Sequence, residues 1–98
     1  MTKEYILNYL KKHKDEFASQ YGIISLGLYG SYARNEETKD SDIDIFYKNN
    51  KNFSMGILEF SQFLKKLEYD LKAKIDFVNL DSMNPVIKYY AKKDFTYV

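Results

Sequence analysis

The sequence contains no cysteine, and this absence excludes disulfide bonds, thiolate zinc sites and cysteine nucleophiles together. The single histidine, His13, has none of the partners that a metal centre or a catalytic triad needs. No apolar run approaches the roughly 18–20 residues of a membrane span, and the first residues form no apolar leader. We therefore expect a cytoplasmic protein that makes no contact with a membrane.

Neither sign of charge is in excess. Fifteen lysine and arginine residues oppose 14 aspartate and glutamate residues, which leaves a formal net charge of +1. Such a balance creates no global field for non-specific nucleic-acid binding, so no direct nucleic-acid partner is expected.

The length is sufficient for one domain only. The 98 residues, 45% of them hydrophobic, predict a single domain over residues 1–98 with no room for a second. Any large acceptor or specificity element is therefore expected to come from another chain or from a second copy.

Hydrophobic periodicity predicts an alternation of helices and strands. Strands are expected at residues 23–29, 42–47 and 74–80, with a turn at 48–52 and a short edge strand at 95–98. Helices are expected at residues 2–20 and 31–34, from Ser54 to about residue 71, and from 85 to about 93. The order α-β-α-β-α-β-α predicts an α/β (α+β) fold, a small mixed sheet of three to four strands packed with helices.

Several residues are suited to begin or end these helices. Thr2 can cap the first helix, and Gly22 can end it in a left-handed turn. Asn35 accepts the left-handed backbone expected after the short second helix. Asn84 followed by Pro85 is typical of an N-cap and a first helical position.

The aromatic residues leave two interpretations open. The chain has ten tyrosines and seven phenylalanines, and Tyr89, Tyr90, Phe95 and Tyr97 concentrate near the C-terminus. They either pack in the core or form an interface, where tyrosine is enriched.

Three aspartates are candidates for a metal site. Asp42 and Asp44 stand two apart on a predicted strand, so their side chains emerge on one face about 6–7 Å apart. Asp76 interrupts an apolar run on the next predicted strand, where an unpartnered buried carboxylate would be costly. If the two strands are neighbours, the three carboxylates meet. Mg²⁺ prefers such hard oxygen ligands together with substrate phosphates, so a site for one or two ions is expected.

A candidate phosphate site lies where the first strand ends. Gly30 lets the backbone approach a phosphate closely, and the Ser31 hydroxyl adds a hydrogen-bond donor at the start of a helix. Arg34 lies one turn further on, and it is the one arginine among 15 basic residues. A guanidinium binds phosphate oxygens in a bidentate manner that lysine cannot match.

These residues allow two other interpretations. Residues 40–44 resemble the start of a calcium-binding EF-hand loop, but Ile45 and Lys51 stand where that loop requires glycine and glutamate. Alternatively, residues 40–44 form only a solvated turn and Ser31 is an ordinary helix cap. The joint spacing of the two segments, together with Asp76, favours the metal and phosphate sites.

Gly30-Ser31, followed after ten residues by Asp42-Ile43-Asp44, resembles the signature of the DNA polymerase β-like nucleotidyltransferase superfamily. The run from Gly30 to Asp44 looks similar to the minimal nucleotidyltransferases, including antitoxins paired with HEPN-domain toxins. Asn35 departs from the glycine usual at its position, with little effect expected because asparagine also tolerates a left-handed backbone.

The resemblance implies a nucleotidyltransferase fold and a role for each matched residue. Asp42, Asp44 and Asp76 are the implied catalytic and metal-binding residues, and Gly30, Ser31 and Arg34 are the implied nucleotide-binding residues. It further implies Mg²⁺ as cofactor, ATP as donor and transfer of AMP to a hydroxyl. In the antitoxin branch the acceptor is a tyrosine of the toxin, which implies a HEPN-type partner encoded nearby and a hetero-oligomer.

Two alternatives to this function stay open from the sequence. The protein could bind its partner, with or without nucleotide, and inhibit it by contact alone. It could also modify a small, antibiotic-like molecule presented by a separate substrate-binding subunit. Asp42, Asp44 and Asp76 favour an enzyme over the first alternative.

Overall fold

A computed structural model describes residues 1–53 and 55–98 of the chain. Its elements are α1 (Lys3–Tyr21), β1 (Ile23–Tyr29), α2 (Gly30–Ala33), β2 (Ile43–Asn49), α3 (Ile57–Leu71), β3 (Ile75–Asn79), α4 (Pro85–Ala91) and β4 (Thr96–Tyr97). Short 3₁₀ turns at Leu80–Ser82 and Lys92–Asp94 flank α4. This order confirms the mixed α/β architecture.

Local capping residues fix several helix limits as the sequence predicts. The Thr2 side chain accepts a hydrogen bond from the Tyr5 amide at the start of α1. Gly22 ends α1 with φ of 69°, and Asn35 follows α2 with φ of 58°, both in the left-handed region. The Asn84 side chain accepts from the Val86 amide and caps α4.

Other limits differ from the prediction because strand pairing overrides local preference. The second strand begins at Ile43, so Asp42 lies just before it, and it extends to Asn49 because Lys48 and Asn49 pair with β1. The turn predicted at 48–52 is therefore shorter. Helix α4 ends at Ala91 and continues as a 3₁₀ turn. The predicted start of α3 at Ser54 lies outside the described residues.

The four strands form one mixed sheet in the order β3-β2-β1-β4. Strands β2 and β3 are parallel, whereas β1 pairs antiparallel with β2 and β4. The parallel pair is connected through α3, as parallel neighbours require a crossover. Placing β2 between β1 and β3 brings the Gly30 end of β1 beside Asp44.

Helices α1 and α3 cover one face of the sheet. The buried side chains there include Ile6, Leu10 and Phe17 of α1, Phe63, Leu67 and Leu71 of α3, and Leu26, Leu28, Ile43, Ile45 and Phe77 of the sheet. The first turn of α3 projects beyond this core, so Ile57 is exposed although the periodicity places it on the apolar stripe. Each fully buried side chain of this size contributes about 1.5–3 kcal/mol.

The opposite face of the sheet is covered at one end only. Phe46, Leu80 and Met83 form a second small core there, against which Tyr29, Val78 and Phe95 pack. Because side chains alternate along a strand, the face that carries Phe46 also carries Asp44. The helices in the described part of the chain include none with the length and hydropathy of a membrane span.

Candidate active site

Asp44 and Asp76 lie side by side on the open face of the sheet. They are register partners in the parallel β2–β3 pair, and Tyr29 is the register partner of Asp44 on β1. Paired residues of adjacent strands share a face, so these three side chains form a row across the sheet. The sequence prediction that Asp76 meets Asp44 is confirmed in its geometry. Asp76 is exposed, however, so it is not the buried carboxylate that its apolar neighbours suggested.

The environment of Asp44 disfavours a negative charge. Its pKa is raised to about 6, mainly by burial and then by the charge of Asp76, a hydrogen bond with Asp76 and the charge of Asp42. The positive charge of Arg34 acts in the opposite direction. Adjacent carboxylates repel each other, and protonation or a bound cation relieves that repulsion.

Gly30 brings the backbone directly against Asp44. Its φ of 76° is left-handed, and a Cβ at this position would overlap the Asp44 carboxylate. Only glycine fits both the conformation and the contact. The turn into α2 is thereby held next to the carboxylates, with Ser31 half-buried immediately after it.

Arg34 is anchored by two carboxylates. Its Nη1 donates to Asp94 at 2.7 Å, and its Nε donates to Glu36 at 3.5 Å. Within the Arg34–Asp94 pair, Asp94 is the more buried side chain, with 11% of it exposed against 41% for Arg34. Sequence reasoning missed Asp94, which lies 60 residues away and belongs to no local pattern.

Tyr29 is a second residue that sequence reasoning did not assign to the site. Burial raises its pKa, and the nearby charges of Asp76 and Asp44 raise it further, so its hydroxyl stays protonated. Its position opposite Asp44 depends on the strand register, because a shift of the β1–β2 pairing by one residue would place the Tyr29 side chain on the other face of the sheet.

A surface cleft of about 440 Å³ opens beside this row of residues. Tyr29, Gly30 and Arg34 line one wall. The other wall comes from α4 and the turn after it, and includes Val86, Ile87 and Tyr90. The cleft is therefore continuous with the Gly30 turn.

The carboxylates fit a divalent cation by their chemistry. Within residues 1–53 and 55–98, no three acidic, histidine or cysteine side chains form a metal-binding group. The prediction that all three carboxylates meet is therefore wrong for Asp42, which lies before β2, whereas Asp44 and Asp76 are paired. Mg²⁺ does not require three such side chains, since it is commonly held by one or two carboxylates together with substrate phosphates and water. The Asp44–Asp76 pair, with Asp42 nearby, supplies such a donor set.

Comparison with known proteins shows the family to which the chain belongs. The family model of the nucleotidyltransferase domain matches residues 10–98. A Methanocaldococcus jannaschii protein, provisionally named a protein adenylyltransferase, is 36% identical over 98 residues, covering 99% of this chain and 98% of its own. The protein adenylyltransferase MntA of Thermococcus cleftensis is 32% identical over 98 residues, covering 100% and 97%.

A solved structure shares the fold at lower sequence identity. The chain superimposes on a structure of tri-AMPylated Shewanella oneidensis HEPN toxin in complex with MNT antitoxin with a TM-score of 0.60 at 19% identity. The match covers 97% of this chain and 66% of the other. The fold and the family match thus define a nucleotidyltransferase. The chain belongs to the nucleotidyltransferase domain family, in the group of small members that includes MntA.

Proposed function

We propose that this protein transfers AMP from ATP to a tyrosine hydroxyl of a HEPN-type toxin and thereby acts as its antitoxin. The observation that carries the transfer chemistry is the Asp44–Asp76 pair beside the Gly30 turn, on the open face of the sheet. Membership of the nucleotidyltransferase family supports the same reaction class.

The carboxylates supply the metal site in this proposal. Asp42, Asp44 and Asp76 would hold one or two Mg²⁺ ions, which supply positive charge to the phosphoryl oxygens of the transition state. Burial first, and then the negative charges of Asp76 and Asp42, raise the pKa of Asp44, and a divalent cation would offset the repulsion among the three groups.

The Gly30 turn and Arg34 hold the triphosphate. Glycine leaves the backbone open to close approach, and the Ser31 hydroxyl can donate to a phosphate oxygen. Arg34 uses one hydrogen on Nη1 and one on Nε for Asp94 and Glu36, which leaves its remaining donors for the nucleotide. Asp94 fixes the direction in which those donors point.

The reaction is an in-line displacement at the α-phosphorus. The acceptor oxygen forms a bond to that phosphorus while the bond to the β-phosphate bridging oxygen breaks, and pyrophosphate leaves. Asp76 accepts the hydroxyl proton, a role that its exposed position beside Asp44 permits. Holding both reactants in this geometry accounts for much of the expected acceleration.

A macromolecular acceptor suits the form of the site. Asp42 and Asp76 are exposed, so a tyrosine on another protein can approach the carboxylates without entering a deep pocket. The MntA relative is named a protein adenylyltransferase, and the AMPylated protein in the solved complex is a HEPN toxin. These two observations support a protein acceptor of that class and a hetero-oligomer with it.

The direct test is labelling in an extract of the host organism. The protein is incubated with Mg²⁺ and α-labelled ATP beside two double variants: Asp42→Asn/Asp44→Asn, and a matched control, Asp15→Asn/Asp81→Asn, which removes two exposed carboxylates away from the site. We expect one labelled protein band with the native chain and the control, and a loss of at least about 100-fold with the site variant.

The same variants separate the alternative functions. If the site variant still neutralised the partner in cells, contact inhibition would replace transfer as the mechanism. If label were recovered in a small molecule and in no protein, the proposed transferase activity would stand, but the proposal of a protein acceptor would be wrong.

A further inference from the structure

Helix α4 presents apolar side chains that the fold leaves uncovered. None of its residues is buried, and Val86, Ile87 and Tyr90 are 65%, 57% and 66% exposed. A surface helix in a small domain ordinarily packs its apolar stripe against the core. In this chain Phe46 and Phe95 fill the second core without α4. The exposed stripe of α4 therefore remains available to a ligand.

Those three side chains line the cleft that opens at the Gly30 turn. Tyr29, Gly30 and Arg34 form the facing wall. The 2.7 Å hydrogen bond between Arg34 and Asp94 connects the two walls, since Arg34 follows α2 and Asp94 lies in the turn after α4. The two walls of the cleft are thus held together by this hydrogen bond, and one end of the cleft lies at the proposed triphosphate site.

We propose that this cleft binds the nucleoside half of the donor nucleotide, with the base stacked on the Tyr90 ring and the apolar side chains of Val86 and Ile87 beside it. The inference rests on the proposed transferase function and adds the residues that recognise the base.

Size and chemistry favour a base as the occupant. The volume of about 440 Å³ lies within the range of small-molecule sites, which are mostly apolar with a few polar groups. Aromatic rings stack on any base because every base has a π face. Lys93 adds a cation to the wall, whereas Asp94 is already engaged by Arg34.

The neighbouring tyrosine provides a matched control. Tyr89 belongs to the same helix and has nearly the same exposure, 65%, but it does not line this cleft; it lines an adjacent cavity, which it shares with Tyr90. The rings of Tyr89 and Tyr90 meet edge to face at 5.2 Å. A change at Tyr89 therefore tests whether α4 itself, rather than the Tyr90 ring, sets nucleotide affinity.

The experiment measures binding of a non-hydrolysable ATP analogue and of inorganic tripolyphosphate, with Mg²⁺, by calorimetry. The proteins are the native chain, Tyr90→Ala, Tyr90→Phe and Tyr89→Ala, each checked for native circular dichroism. We expect Tyr90→Ala to weaken binding of the ATP analogue about 5- to 150-fold, the range that loss of one stacking contact gives. Tyr90→Phe keeps the ring and retains affinity, as does Tyr89→Ala. Tripolyphosphate binds all four proteins equally.

Three results would overturn the proposal. If Tyr90→Ala bound the ATP analogue with native affinity, the base would not bind in this cleft. The same conclusion would follow if Tyr89→Ala weakened binding of the ATP analogue as much as Tyr90→Ala. Equal weakening of tripolyphosphate binding would assign Tyr90 to the phosphates instead. Failure of the native chain to bind either compound would reject the proposed function itself, a result distinct from the first three.

Discussion

Arg34 donates a 2.7 Å hydrogen bond to Asp94, a residue 60 positions further along the chain. This pair joins the segment after the Gly30 turn to the segment after α4, and it directs the guanidinium beside the cleft. The sequence motif includes Arg34, but the orientation of its guanidinium depends on the distant carboxylate of Asp94.

Asp94→Asn is therefore expected to raise the KM for ATP about fivefold with little change in kcat. The neutral amide retains shape but loses the charge that holds Arg34, so the guanidinium is oriented less well towards the nucleotide. Steady-state kinetics would measure the change. Asp81→Asn, which removes a more exposed ion pair with Lys48, is the control and leaves KM unaltered. An unchanged KM in Asp94→Asn would show that Arg34 needs no positioning.

The pKa of Asp44 predicts how stability depends on pH. Because the folded value of about 6 lies above the unfolded value of about 3.9, the contribution of Asp44 to stability is fully present below the unfolded value and is lost as pH rises through about 6. Asp44→Asn removes this loss, so the metal-free variant is expected to be more stable than the native chain at about pH 7.5.

Solvent screening of the half-exposed Asp44 carboxylate limits the gain in the free energy of unfolding of Asp44→Asn to about 1 kcal/mol, or a rise in Tm of about 4–8 °C. Thermal unfolding in a chelator, at about pH 5 and about pH 7.5, would measure it. The difference between the two proteins should fall to about half at the lower pH, because the loss begins as pH rises above the unfolded value of about 3.9. A gain of the same size at both pH values would mean that ionisation of Asp44 is not its cause.

Gly30→Ala is expected to damage both the fold and the reaction. A left-handed backbone costs a residue with a Cβ about 1–2 kcal/mol, and the added methyl group would displace the Asp44 carboxylate. Urea unfolding and the rate of AMP transfer report the two effects separately. At Gly56, where φ is −75°, an added Cβ meets the flexible end of the Glu59 side chain, so Gly56→Ala should preserve activity. Full activity of Gly30→Ala would disprove the close fit.

Tyr9→Phe tests the junction of α1 and α3. The Tyr9 hydroxyl donates to Asp70, and this hydrogen bond lowers the pKa of the Asp70 carboxyl. We expect a loss of about 0.5–1.5 kcal/mol in the free energy of unfolding, with activity retained. Because the pKa of Asp70 is depressed, the loss applies above its unfolded value and disappears as pH falls through the folded one. Denaturant titration beside Tyr69→Phe, whose side chain is 81% exposed, provides the comparison.

The C-terminal aromatic residues divide between the two interpretations that the sequence leaves open. Phe95 packs against Phe46 with ring centroids 4.5 Å apart, so it belongs to the second core. Tyr89, Tyr90 and Tyr97 remain exposed. Composition alone could not separate them, because burial depends on which strand or helix each residue meets.

The sequence by itself determined the features that depend on short-range geometry. The alternation of residues 42–47 predicts that Asp44 lies on the face opposite to Ile43 and Ile45, because strand side chains alternate with a period of two. The left-handed backbone at Gly22 and Asn35 follows equally from the residue types. The spacing of Gly30-Ser31 and Asp42-Asp44 also identified the family, because this motif lies within one short segment of the sequence.

Only the tertiary structure decided what those residues meet. The parallel pairing of β2 and β3 sets Asp76 beside Asp44, and the antiparallel register with β1 sets Tyr29 on its other side. Neither Asp94 as the partner of Arg34 nor the uncovered face of α4 could be derived from local pattern. These contacts join residues up to 60 positions apart, and their geometry is set by strand order and core packing, which no short segment specifies.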